Sequence, residues 1–459
     1  LPRELTRAVD VGIDTPVLLF AAALSIGTTF IFGLLPALQA TRPDLLSVIK
    51  ASPGRGTGDR KAARFRSSLV TAQIGLSMAL LCSAGLFLRS LVNVSRIELG
   101  LRPDSLVTFA LSPVQMGYTT AQRQNLFRQV EEALTALPGV TSVTSAQVPV
   151  FVGWSNGSDV DVEGTEVTPD TDVNTRTNWV GPDYFKTLGM SILAGREFNA
   201  SDDVGSPRVA IVNEEFVRKF KLGNDAIGRR VRFGSRLVRP SGSEGEGYLI
   251  VGIAKNASYD AVKRDPQPVL FTAHRQDSTT GRLVFYARAA VEPSTIVRAI
   301  PPLVAKLAPD LPVVDLTTVP RQMDESVFID RMISTLSAAF ALLATLLAAV
   351  GLYGVLAYNV TQRTREIGVR IALGADTTRV HALVIRQVIA MTLIGGVIGL
   401  AAAIGIGRAA QSLLYGLGGI DTLAFLAAAT AIAVVSLAAG YLPARRAAKV
   451  SPITALRAE

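Results

Sequence analysis

Five stretches of about twenty apolar residues, at roughly 16–38, 69–88, 332–358, 383–407 and 422–442, constrain this chain more than anything else in it. A bilayer core takes about 20 apolar residues per helix. With no water to satisfy the backbone, only helices or closed barrels cross it. The expected fold class is therefore a membrane α-helical bundle. The stretch from Leu69 to Leu88 carries no charge and is flanked by Arg64, Arg66 and Arg89. A mean hydropathy of +0.36 over 459 residues is the composition of a multi-span protein. About 240 residues separate the second and third stretches, enough for one large soluble domain or two small ones. The single cysteine, Cys82, lies inside a span, so no internal disulfide can brace that soluble region.

The first and last stretches are copies of each other. Residues 12–40 align without a gap to 419–447, with 12 of 29 positions identical. Both begin Gly-Ile-Asp-Thr (Gly12 to Thr15, Gly419 to Thr422) and end Gly-x-Leu-Pro-Ala-x-x-Ala. Such a repeat speaks to architecture first. Residues 1–40 read as the closing helix of a preceding unit. Residues 41–68 then form a basic cytoplasmic linker that includes the Gly-rich stretch Pro53 to Gly58.

Lys and Arg near the spans set orientation. Stretches 39–68, 359–386 and 443–459 carry net charges of +5, +3 and +3, which exceeds the chain's total of +9. The basic excess is thus a topology signal and not a nucleic-acid footprint. These three stretches face the cytoplasm beside membrane lipid, the C-terminus is inside, and 89–331 is extracytoplasmic.

Within 89–331, Leu106–Leu111, a helix from Thr120 to Leu137 stopped by Pro138-Gly139, and Val140–Val148 form a strand–helix–strand unit. Residues 282–318 repeat the order, with a helix over about 294–307 weakened by Pro301-Pro302. Two such units predict a ferredoxin-like part at 104–149 and 279–318. Residues 150–278 are then a β-rich insertion with short helices at Pro182–Leu188 and Glu214–Phe220, the latter capped by Asn213. The full expectation is a membrane helical bundle with a large extracytoplasmic α+β domain.

Several motifs carry a family resemblance. They are Trp179-Val-Gly-Pro-Asp-Tyr-Phe-Lys-Thr-Leu-Gly189, Leu193-Ala-Gly-Arg-Glu-Phe198, Val209-Ala-Ile-Val-Asn-Glu214 and Ile227-Gly-Arg-Arg230. Further on come Gly351-Leu-Tyr-Gly-Val-Leu-Ala357, Arg363-Thr-Arg-Glu-Ile-Gly-Val-Arg370, Ala372-Leu-Gly-Ala375 and Leu442-Pro-Ala-Arg-Arg446. From about residue 69 onward the chain resembles the FtsX-like ABC permeases of the macrolide-exporter and lipoprotein-release type. The leading copy of the closing helix resembles the subgroup with two fused permease units. The resemblance implies one span, an external domain, three further spans (332–459), and ATP-driven work by a separate cytoplasmic ABC ATPase. A second permease unit and an extracytoplasmic adaptor or channel would be further partners.

The stretch Thr364 to Ala375 follows the third span directly. Glu366 precedes Arg370 by four residues, the better orientation for a helical ion pair. Ile367 and Ile371 share a face, and Gly374 can end the helix. A short amphipathic helix is expected, either a plain juxtamembrane anchor or, as the family implies, a coupling helix seated on the ATPase. Arg363, Arg365, Glu366, Ile367, Gly368, Arg370, Leu373 and Gly374 are its candidate coupling residues. Before the span, Pro320 to Arg331 could extend it into one rod about 60 Å long through Tyr358. Gly351 and Gly354, and Gly395, Gly396 and Gly399, predict close helix approach. No P-loop or nucleophile elbow is present, and neither His274 nor His381 has a neighbouring Cys or His ligand partner. No catalytic residue, metal site or resident cofactor is expected, with ATP on the partner. The expected function is an export permease working by mechanotransmission in the bacterial cytoplasmic membrane. The alternative is a transmembrane relay to an external cell-wall hydrolase or a peptide sensor.

Overall fold

The computed structural model describes residues 14–30, 57–97, 99–153, 155–166, 168, 170–234, 247–258, 265–277, 279–362 and 377–448. The chain divides into two units, Leu1–Asn93 with Asp330–Glu459, and Val94–Ile329. Helix α1 (Thr15–Thr29) and helix α2 (Thr57–Ser95) come first. The Val94–Ile329 unit begins with β1 (Leu106–Leu111), α3 (Thr120–Thr135) and β2 (Val140–Ala146). It continues through β3 (Asn156–Val162), β4 (Asn174–Val180), α4 (Tyr184–Leu188), β5 (Ile192–Gly195), β6 (Val209–Asn213), α5 (Glu214–Lys219), β7 (Arg230–Phe233), β8 (Tyr248–Ala254) and β9 (Val269–Ala273). It closes with β10 (Leu283–Ala289), α6 (Pro293–Leu307), β11 (Val314–Thr318) and α7 (Val319–Ser326). The membrane unit resumes with α8 (Phe328–Gln362), α9 (Thr377–Ala409) and α10 (Thr422–Ala448).

Among the described residues, four helices are long and apolar enough to cross a membrane: Ala63–Ser95, Phe328–Gln362, His381–Ala409 and Thr422–Arg446. Each overruns the apolar stretch that announced it, because once nucleated a helix continues into its polar flanks until a cap or Gly/Pro stops it. The expected linker 41–68 is corrected in the same way, since residues 57–68 already belong to α2. Of the first expected span, only residues 16–30 are described.

In the other unit, strand order β11-β1-β10-β2 is antiparallel throughout and is the ferredoxin-like arrangement of two strand–helix–strand halves. Alternate residues Val107, Phe109 and Leu111 meet α3 through Leu126, Val130 and Leu134, and α6 through Ile296, Ile300 and Val304. Phe109 stacks on Phe285 at 5.2 Å. Helix α3 starts at a capping box that the sequence reading missed: Thr119 and Gln122 satisfy each other's backbone. Helix α6 runs through Pro301 and Pro302 to Leu307, held by its buried apolar stripe.

The insertion closes on itself. Strands pair in the ring β4-β3-β7-β8-β6-β9 and back to β4, so every member has two neighbours and no free edge remains in that ring. Its interior holds Val160, Val212, Phe216, Val231, Ile250 and Leu270. The ferredoxin-like sheet and the ring share one sheet through a single residue pair, Ala146 with Val180.

The single rod from Pro320 to Tyr358 is not what forms. Thr318 caps α7, which ends at Ser326. Val327 leaves helical geometry (φ −103°, ψ 4°), and α8 begins afresh at Phe328.

Candidate functional site: the membrane bundle and the buried Glu131 cluster

Helix α2 is the hub of the membrane unit. Its apolar window is 56% buried, against 28%, 22% and 33% for α8, α9 and α10. The reason is a stripe at every fourth residue, Val70, Ile74, Met78, Cys82 and Leu86, which packs on Ala348 and Leu352 of α8, Val388 of α9 and Phe425 of α10. Lipid tails are as apolar as these side chains, so close backbone packing and polar contacts must hold the helices together. Glycines provide the first. A methyl carbon added at Gly399 would lie 2.3 Å from the Gly75 carbonyl oxygen, and one at Gly395 would lie 2.6 Å from that of Thr71. Gly351 meets Gln73, whereas Gly354 and Gly396 face open space. Of the five glycines singled out in the sequence, three therefore pack and two do not.

Gly399→Leu should consequently separate α2 from α9 and lower the bundle's melting temperature, at a cost of about 1–3 kcal/mol or more. Gly396→Leu should leave it unchanged. Cys82 is fully buried, so its labelling by a maleimide dye on heating reads bundle unfolding directly. Equal melting of the two variants would contradict the packing.

Polar contacts pin the two ends of the bundle. At one end Arg89 Nη1 donates to Asp421 Oδ1 at 2.9 Å, and the same oxygen accepts from the Ala424 N–H, capping α10. Ser90 Oγ accepts from the Tyr415 N–H, and Ser334 Oγ donates to the Phe87 carbonyl. At the other end the Arg66 guanidinium lies 4.0 Å over the Tyr358 ring, and Arg446 donates to the Tyr353 hydroxyl at 2.7 Å. Among the described residues, no acidic or basic side chain is buried inside this bundle. The buried hydroxyls of Ser77, Ser83 and Thr345 bond back to carbonyls of their own helices.

The candidate coupling residues Arg363, Arg365, Glu366, Ile367, Gly368, Arg370, Leu373 and Gly374 lie outside the described residues. The described chain leaves α8 at Gln362 and re-enters at Thr377, both at the Arg66 and Arg446 end of the bundle.

The Val94–Ile329 unit holds a cluster that sequence reading did not find. Glu131 of α3 is buried and accepts from Ser145 Oγ at 2.7 Å and from Arg275 Nη2 at 2.5 Å. Its Oε1 also lies 3.3 Å from His274 Nε2. Burial works against its ionisation, but the hydrogen bonds and charges of His274 and Arg275 prevail and hold its pKa at about 2. A cleft of about 180 Å³ opens beside it, lined by Gln124, Asn125, Arg128, Asp203, His274 and Arg275. The cluster ties the ferredoxin-like helix to the end of β9, next to the one-pair strand junction. Its partners are 143 and 144 residues apart in sequence, so no local motif signals it.

Motif residues of the Val94–Ile329 unit hold its own elements together. Asn213 Oδ1 accepts from the N–H groups of Phe216 and Val269, and its Nδ2 donates to the Gln267 carbonyl. Glu197 accepts from Phe185 and Lys186 at the start of α4. Gly195 (φ 78°) sits where an added methyl carbon would fall 2.1 Å from the Val251 oxygen, so no other residue fits.

A four-helix unit with α2 as hub, interrupted between its first and second spans by a ferredoxin-like domain with an inserted β ring, also defines the family matches. Residues 67–303 match the MacB-like periplasmic core domain, more than half of the chain, and 338–452 match the FtsX-like permease C-terminal domain. The chain belongs to the FtsX-like permease family of the MacB type. The macrolide export ATP-binding/permease protein MacB 1/2 of Paracoccus denitrificans is 25% identical over 83% of this chain and 58% of its own length. The MacB of Agrobacterium fabrum is 25% identical over 62% of this chain and 43% of its own length. The chain thus spans about half the length of the curated relatives it matches. The crystal structure of the periplasmic region of MacB from Actinobacillus actinomycetemcomitans is 14% identical with a TM-score of 0.33, covering 50% of this chain and 95% of that one. The chain is accordingly an ABC-family permease with membrane helices and a periplasmic-type domain.

Proposed function

We propose that this FtsX-like permease converts ATP hydrolysis on a separate cytoplasmic ABC ATPase into conformational work on its extracytoplasmic domain, in the service of export. The observation that carries the reading is the FtsX-like match over 338–452, which encloses the whole Arg363–Gly374 stretch between α8 and α9. In this reading that stretch seats on the ATPase, and ATP remains there. Among the described residues no charged side chain is buried inside the bundle, which favours transmission of motion over a passage for charged cargo through these helices. The chain sits in the bacterial cytoplasmic membrane with its C-terminus inside, and its arginine-rich end lies at the lipid headgroups. Two permease units work together on one ATPase pair, and an external adaptor or channel receives the stroke. Affinity purification in mild detergent with mass spectrometry should recover an ABC ATPase, and reconstitution should raise its turnover. Purification that yields no ATPase from cells expressing its genomic neighbours would overturn the proposal.

A further inference from the structure

This chain contains two closing helices and one seat. Helix α10 shows what a closing helix does. Asp421 binds Arg89 of α2, Ala424 fills the notch at Gly85 with its Cβ 3.1 Å from where a glycine side chain would start, and Phe425 and Ala428 are buried beside it. Helix α1 aligns with that helix without a gap, so Asp14 corresponds to Asp421, Val17 to Ala424, Leu18 to Phe425 and Ala21 to Ala428. The two neighbours Val17 and Leu18 exchange bulk relative to Ala424 and Phe425, one larger and one smaller, so the face keeps its total volume.

Yet no residue of α1 is buried. Val17 is 60% and Leu18 56% exposed, where their counterparts are both 8%. Asp14 makes no capping bond, and among the described residues it has no ion-pair partner. The seat on α2 cannot serve it, because Arg89 is paired and the Gly85 notch is filled. A second copy of this chain brings an α2 that is occupied in the same way.

We propose that α1 docks through Asp14 and the Val17–Leu18–Ala21 face onto another α2-type helix, one belonging to a second permease unit. That helix is an apolar span with a glycine four residues before a terminal arginine, the spacing of Gly85 and Arg89. The inference rests on the two-unit reading above and adds the specific contact that joins the units.

The test uses the full chain in membranes and, as probe, a tagged helix of residues 57–97 expressed in trans. The chain should capture the probe, and Asp14→Arg should lower capture about tenfold, the scale of a polar contact between helices in lipid. Arg89→Asp on the probe should restore capture to the Asp14→Arg chain, and the milder Asp14→Asn should give an intermediate loss. Capture that ignores Asp14 and follows Asp421, or no capture at all, would overturn the contact. Native mass spectrometry separates the two levels. A second permease unit that stays bound to the Asp14→Arg chain removes the latch and leaves the two-unit reading. Failure of the unaltered chain to bind a second unit removes the reading itself.

Discussion

Arg370→Glu and Gly368→Trp should each reduce stimulation of the cognate ATPase to the level of the ATPase alone, with membrane insertion and Cys82 protection unchanged, if the proposed coupling role holds. A Glu–Arg pair at i,i+4 contributes only a few tenths of a kcal/mol to a helix, so charge reversal at Arg370 should not by itself act through folding. What it changes is the surface offered to a partner. A buried interfacial charge that turns repulsive costs several kcal/mol of binding. A Trp ring at Gly368 enlarges a position that only a hydrogen occupies, so a snug partner groove must give way or lose contact. Either loss exceeds the 1.4 kcal/mol that corresponds to a tenfold change. ATPase assays in nanodiscs, with permease and ATPase at fixed ratio, read the result. Full stimulation by both variants would show that this stretch is merely a juxtamembrane anchor.

Glu131→Ala should cost the Val94–Ile329 unit about 3–5 kcal/mol, the penalty for leaving the half-buried Arg275 without its counter-charge. For a unit of this size that is a fall in melting temperature of roughly 10 °C. The pH dependence has a definite sign. The pKa of Glu131 is about 2 in the folded protein against an ordinary 4.5, so its ionised form is favoured by folding. The stabilisation is fully present above the ordinary value and fades as pH falls from there towards 2. The parent protein should therefore lose stability across that acid window more steeply than Glu131→Ala, and the two melting curves should converge near its lower end. Glu131→Gln keeps the side chain's size and its capacity to accept from Ser145, but should recover only part of the loss because Arg275 remains uncompensated. Equal melting of parent and Glu131→Ala at neutral pH would show the cluster to be energetically idle.

Much of this was legible in local sequence. Apolar length marked the membrane helices, and turn residues marked strand–helix–strand halves at 104–149 and 279–318, whose strands the structure joins as β11-β1-β10-β2. Asn213 was readable as a cap and acts so. Helix ends were less readable. Nothing in Pro320–Arg331 announces the break at Val327, because every residue there except Pro320 tolerates a helix and the break is imposed by context.

What the chain determined by itself was therefore the set of elements, their order, the repeated closing helix and the family motifs, all of which depend on residues near one another. Tertiary structure alone decided which surfaces meet. It separated Gly395 and Gly399, which touch α2, from Gly396, which touches nothing, although all three look alike in sequence. It closed the inserted strands into a ring, brought Glu131 to His274 and Arg275, and gave Asp421 an arginine that Asp14 lacks among the described residues. Periodicity and capping are properties of a few consecutive residues, whereas contacts across more than a hundred residues depend on the packing of the whole unit, which no single segment encodes.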